Sequence, residues 1–190
     1  MSTGKESMIN KWELDANKRE NELSRAFVEF SRRKLVKQYW PRLRSCVASL
    51  SEEQIWWRPN EASNSVGNLV LHLNGNVRQW LVASFGRQKD IRDRRAEFAA
   101  RGPISAQNLL ETLEETIRES DAVLARIGVA DLLATYQIQG YTVSGLEAIY
   151  KVVEHFATHY GQILYITKQL RGIDLGFYRE LDKTGRLPTK

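Results

Sequence analysis

Three histidines make up the whole imidazole complement of this chain, and their spacing suggests a shared task. His155 and His159 stand four residues apart in a segment of helical periodicity. On an α-helix that spacing separates two side chains by about 40° around the axis and about 6 Å along it. Both rings can therefore turn toward one point, the arrangement by which helices present two imidazoles to a metal. His72 sits in a different helical segment, on one face with Asn68, Gly75, Asn76 and Gln79. Leu69, Leu71, Leu73 and Val77 flank that polar stripe. So much apolar surface leaves little of this helix for solvent, and the stripe points to an internal polar pocket. Burying three neutral imidazoles without partners is costly, and one shared divalent cation would give each a partner. The plainer alternative is three surface or hydrogen-bonded core histidines. A third histidine on another helix beside the H-x-x-x-H pair favours the metal.

Three nitrogen ligands leave coordination positions open, as catalytic rather than closed structural sites do. An ion there can lower the pKa of water or hold a thiol in its ionised form. Asn68, Asn76, Glu154 and Tyr160 lie close to the histidines along their helices and are candidates for orienting a ligand ring or a substrate. The chain has no Ser-His-Asp arrangement and no Gly-rich phosphate loop. Cys46, its one cysteine, reads as a small core residue, not a nucleophile. Trp56 and Trp57 read as a plug at one end of the core, with a wall of a ligand pocket as the alternative.

Four long helical patterns must position these groups. The first runs from about Asn21 to Leu50. Leu23, Phe27 and Phe30 form one stripe; Val36, Tyr39, Leu43, Val47 and Leu50 form another. The phase slips between them, and Pro41 should kink or split the helix there. Ser51 with Glu52 and Glu53 starts a short turn that ends before Pro59. The second helix is capped by Asn64 or Ser65 and stops near Gly86. Residues 87–103 are charged and lack period, so they read as a long loop. The third helix runs from about Ser105 to Ile127, with Gly128 as its stop. Residues 131–143 read as a short irregular or extended link. Ser144 and Glu147 form a capping box for the fourth helix, which continues to Arg171-Gly172. The expectation is an all-α protein: an antiparallel four-helix bundle over residues 21–172, a polar arm over 1–20 and an extension over 173–190.

Composition sets the remaining bounds. A 42% hydrophobic and 27% charged chain of 190 residues suits one soluble domain with a full core. No stretch approaches a membrane span, and the polar N-terminal segment has no secretory signal pattern. One cysteine suits a reducing cytoplasm. The net charge of +5 raises the question of nucleic acid. Residues 1–50 hold 11 Lys and Arg against 6 Asp and Glu, while the rest of the chain holds 17 of each. The excess is thus confined to the first helix and its arm, where a solvated helix face explains it better than a nucleic-acid surface does.

The segments Trp56-Trp57-Arg58-Pro59, Asn64-Ser65, Gly67-Asn68-Leu69, His72-Leu73, Gly75-Asn76 and Arg78-Gln79-Trp80 resemble the DinB-like (DinB/YfiT) superfamily, and in particular its DUF1572 branch. Arg92-Asp93-Arg94 with Glu97-Phe98 continues the resemblance. So does His155-Phe156-Ala157-Thr158-His159-Tyr160-Gly161-Gln162-Ile163, which is similar to a terminal H-x-x-x-H-x-G-Q motif. The resemblance implies a four-helix bundle with one divalent ion, commonly zinc or nickel, on three histidines. His72, His155 and His159 match those positions. It also implies frequent homodimers and relatives that include metal-dependent hydrolases, bacillithiol transferases and mycothiol-dependent isomerases.

The leading functional expectation is a metal-dependent enzyme acting on a small molecule, as a thiol S-transferase or a hydrolase. The rival is a non-catalytic, stress-associated metal-binding protein in which the ion staples the helices. Nucleic-acid binding through the first helix ranks last.

Overall fold

The structure, a computed structural model, describes residues 3–179, with side chains from Asp15 onward. The fold is mostly helical. Helix α1 comprises Thr3–Arg32, a π-helical segment Arg33–Tyr39, and Trp40–Ala48. Then follow α2 (Glu52–Trp56), and α3 as Val66–Val77, π-helical Arg78–Ala83 and Ser84–Gly86. Next come α4 (Arg94–Ala99), α5 (Ala106–Leu124) and α6 (Val129–Leu133). Strands β1 (Thr135–Ile138) and β2 (Tyr141–Ser144) lead into α7 (Gly145–Arg171). The expected polar arm lies within α1 from Thr3 onward. Residues 1–2 and 180–190 of the expected arm and extension lie outside the described residues.

The phase slip in the first helix has a physical form. Trp40 donates its backbone N–H to Leu35 O, five residues back instead of four. One extra residue is thereby taken up in the turn just before Pro41, whose missing N–H already interrupts the regular ladder. The stripe N-terminal to this turn differs from expectation. Leu23 and Phe30 are exposed, while Ser24, Val28, Ser31 and Leu35 face the core. Ser31 satisfies its hydroxyl on Phe27 O at 2.8 Å, so a polar side chain can occupy a buried helix face. Phe30 lies instead against the Arg33 and Lys34 cations.

Side-chain caps start the other long helices. Ser65 and Asn68 form a reciprocal capping box on α3, as Ser144 and Glu147 do on α7, and Ser105 caps α5. Gly172 ends α7 in the left-handed region at φ 61°, where a residue without Cβ costs least. Helix α3 is central: it packs against α2, α4, α5 and α7. Its Leu73, Val77, Trp80 and Leu81 are fully buried with Leu43 and Val47 of α1, Leu113 of α5, and Ile149, Phe156 and Ile163 of α7. Cys46 is also fully buried, and burial raises its thiol pKa to about 11, which leaves it protonated and unreactive.

Two segments differ from the sequence expectation. The expected irregular or extended link at 131–143 contains most of an antiparallel hairpin over residues 135–144, Thr135 pairing with Ser144 and Ile138 with Tyr141. Its two-residue turn, Gln139-Gly140, has positive φ at both positions, 55° and 82°, the geometry that matches strand twist. Residues 87–103, expected as a loop, contain α4. This six-residue helix is capped by Asp93 and laid across α3. No described helix is long and apolar enough to cross a membrane.

Candidate metal centre

Helices α3 and α7 bring His72, His155 and His159 together, with one ring nitrogen of each inside 4.8 Å of the others. His72 Nε2 lies 2.8 Å from His155 Nε2. The three ring centroids are 4.5 to 5.0 Å apart, with the rings steeply inclined to each other. His72 is buried; the other two are half-buried.

The outer ring nitrogens of two histidines are already engaged. His159 Nδ1 is 2.7 Å from Gln162 Oε1, an acceptor that requires Nδ1 to carry the proton. His72 Nδ1 is 2.8 Å from Glu97 Oε2. That carboxylate also takes Arg92, whose Nε donates to Oε1 at 2.7 Å and Nη2 to Oε2 at 2.9 Å. Arg92 Nη2 is 3.1 Å from His72 Nδ1 as well. A guanidinium has no acceptor, so the proton on Nδ1 goes to the carboxylate. Both rings thus hold the tautomer that leaves Nε2 unprotonated, and that of His72 faces His155 Nε2 at 2.8 Å.

This donor chemistry fits a divalent ion. Imidazole nitrogens sit about 2 Å from zinc, so ligand atoms on one ion lie within about 4 Å of each other. Modest ring rotations would close the cluster to that size. Carboxylate behind a ligating histidine is the usual support for such a site, because it fixes the tautomer and makes the nitrogen more basic.

The electrostatics agree. Burial, then the neighbouring His159, His72, Arg92 and Lys151, lower His155 to about 4. Burial also lowers His159, against an opposing contribution from Gln162. Burial alone would raise Glu97, but Arg92 and His72 overcome it and hold the carboxyl below its ordinary value. His155 and His159 are therefore neutral and Glu97 ionised near neutral pH, the states a metal site requires.

Glu97 and Arg92 reach the site through α4 and the segment before it. Asn68 anchors that segment: its Nδ2 donates to Glu97 O and Ala100 O, each at 2.9 Å, and its Oδ1 accepts from Ser65. Gly75 permits the close approach. A Cβ there would collide with Glu97 Oε1 and lie 3.0 Å from Arg92 Nε. Arg92 is held in turn by Gln79 Oε1 at 2.8 Å, and Gln79 by Asp90 at 2.7 Å.

The other expected site residues are placed differently. Asn76 is buried one turn beyond His72 and lines a cavity with His72 and His155. Glu154 is exposed and acts on His159 only through its charge, which opposes the lowering of that histidine. Tyr160 is buried against Tyr39 of α1, with ring centroids 5.8 Å apart. Trp56 donates Nε1 to Ile104 O at 3.1 Å and covers Gly67. Trp57 is partly exposed beside Gln162 in a surface cleft.

Fold and site together define a mostly helical protein with a partly buried three-histidine cluster able to hold a metal. Residues 22–178 match the family described as Protein of unknown function (DUF1572), and the chain belongs to that family. No curated protein and no solved structure gives a significant match.

Proposed function

We propose that the protein binds one divalent metal ion, zinc or nickel, through His72, His155 and His159 and acts as a metal-dependent thiol S-transferase or hydrolase. The observation that carries this reading is the pinning of His72 Nδ1 by Glu97 and of His159 Nδ1 by Gln162, which leaves their Nε2 atoms unprotonated beside His155. When bound, the ion would supply Lewis-acid chemistry, lowering the pKa of a thiol or a water. The chain's residues hold and orient. Glu97 keeps the His72 proton on Nδ1, Arg92 keeps Glu97 ionised, and Gln162 fixes the His159 ring. Three protein ligands leave room for a small molecule, and the cavity along Asn76 and His155 admits one. Packing of α1, α3, α5 and α7 on one core supports an antiparallel four-helix bundle of the DinB-like type. The single buried cysteine supports work in a reducing cytoplasm.

The test is elemental analysis of protein purified without a nickel column, followed by a thiol-transfer and hydrolysis screen. One ion per chain is expected, lost in His72→Ala and His155→Ala together with any activity found. Absence of bound metal after incubation with zinc and with nickel would overturn the proposal.

We further infer a homodimer. Leu146, Tyr150 and Tyr165 lie exposed within one arc of α7, interspersed with Glu147, Glu154 and Lys168, and these large side chains would be covered by a second copy. Sedimentation should show a dimer that Tyr150→Glu converts to monomer; a monomeric parent protein would end this reading.

A further inference from the structure

Beside the histidines lies a cavity of about 400 Å³ whose lining includes His155, Asn76, Arg94, Lys151 and Tyr141. No carboxylate is among its lining residues. Arg92 also reaches it, but Glu97 already takes that charge. Arg94 and Lys151 differ: among the described residues neither forms an ion pair. Each is propped on aromatic rings instead. Lys151 Nζ lies 4.3 Å from the Tyr141 ring centroid and 4.8 Å from that of Trp80. Arg94 Cζ lies 4.9 Å from the Phe98 centroid, and Phe98 itself packs on His72. The rings position the two cations without neutralising them.

Asn76 supplies an independent pointer. It is only 6% exposed, and its Oδ1 is buried without a hydrogen-bond partner. Leaving a buried acceptor unpaired costs about 1–3 kcal/mol, a cost that a ligand donor would relieve.

We propose that this cavity binds a small substrate bearing an oxyanion, carboxylate or phosphate. Arg94 and Lys151 hold the charge, and Asn76 Oδ1 accepts from a hydroxyl or amine of the same molecule. The proposal rests on the reading of the histidines as a metal site, and it names the substrate class of that site.

The test is calorimetric titration of zinc-loaded protein with 3-mercaptopropionate and with its neutral counterpart 3-mercapto-1-propanol. The carboxylate should bind at least about tenfold more tightly. Arg94→Gln/Lys151→Gln should erase most of that preference and leave the affinity of the neutral thiol unchanged. Equal binding by the parent protein would overturn the proposal. So would a preference that survives in the double variant, since the carboxylate would then be read by the ion alone. Acetate and inorganic phosphate, added separately, should compete with 3-mercaptopropionate; the stronger competitor identifies the oxyanion, and competition by neither overturns the proposal. Failure of the metal reading looks different: zinc would not load at one per chain, or neither thiol would bind. An unchanged melting temperature in the double variant separates loss of charge from loss of fold.

Discussion

Glu97 Oε2 lies 2.8 Å from His72 Nδ1, with both side chains almost wholly buried. The carboxylate is delivered from a six-residue helix that packs on the helix carrying the histidine. The affinity of a metal held on His72 would therefore be coupled to the docking of α4. Glu97→Gln keeps the shape but removes the charge that receives the Nδ1 proton. Zinc affinity, measured by competition with a chromophoric chelator, should fall by about 10–100-fold. The same change leaves the buried Arg92 guanidinium uncompensated, so the metal-free protein should lose about 3 kcal/mol in urea unfolding. Undiminished zinc affinity would show that Glu97 serves only the ion pair with Arg92.

Gly75 tests the docking without touching a charge. Alanine is the better helix former, and on α3 alone the substitution should be mildly stabilising. Its Cβ would collide with Glu97 Oε1, so the carboxylate must move away from His72. Gly75→Ala is expected to retain helical circular dichroism while losing zinc affinity in the direction of Glu97→Gln. Wild-type affinity would mean that α4 shifts as a unit and carries Glu97 with it.

Much of this arrangement was legible in the sequence, for identifiable reasons. The H-x-x-x-H spacing and the polar stripe around His72 report helical periodicity directly, and the structure brings those rings together. The caps at Ser65, Ser105 and Ser144 follow from local chemistry and occur where expected. Glu97 and Arg92 were visible only as part of a resemblance, with no role attached. Their segment is short and charged, and hydrophobic periodicity does not mark a charge buried by pairing. The hairpin was missed because its strands are four residues long and Gln139-Gly140 lacks the usual Asn or Asp before glycine. The face of α1 was misassigned because Ser24 and Ser31, not Leu23 and Phe30, point inward.

Chelation separates an ion that works from an ion that only staples. The hydrophobic core spans all four long helices without the histidines, so the fold does not need the metal to close it. Removing the ion should lower the melting temperature only by the binding linkage, which grows with free zinc relative to its dissociation constant. Cooperative unfolding should persist in excess EDTA. Collapse to an unfolded chain on chelation would favour the non-catalytic, stapling role.

The pH dependence of the metal-free protein follows from His155. Its folded-state pKa of about 4 lies below the ordinary value of 6.5, through burial and then the positive charge potential of His159, His72, Arg92 and Lys151. Between those values the unfolded chain binds a proton that the folded chain refuses. The stability contributed at neutral pH is therefore full above about 6.5 and declines as pH falls toward 4. Glu97 acts in a lower window: its depressed pKa preserves its contribution above the ordinary carboxyl value and loses it below. Urea unfolding of metal-free protein at a series of pH values should show stability falling from pH 6.5 to 4, and His155→Gln should flatten that slope. Zinc-loaded protein should show a steeper fall, because protons then also compete with the ion for the nitrogens. A slope unchanged by His155→Gln would place the buried titration on other groups.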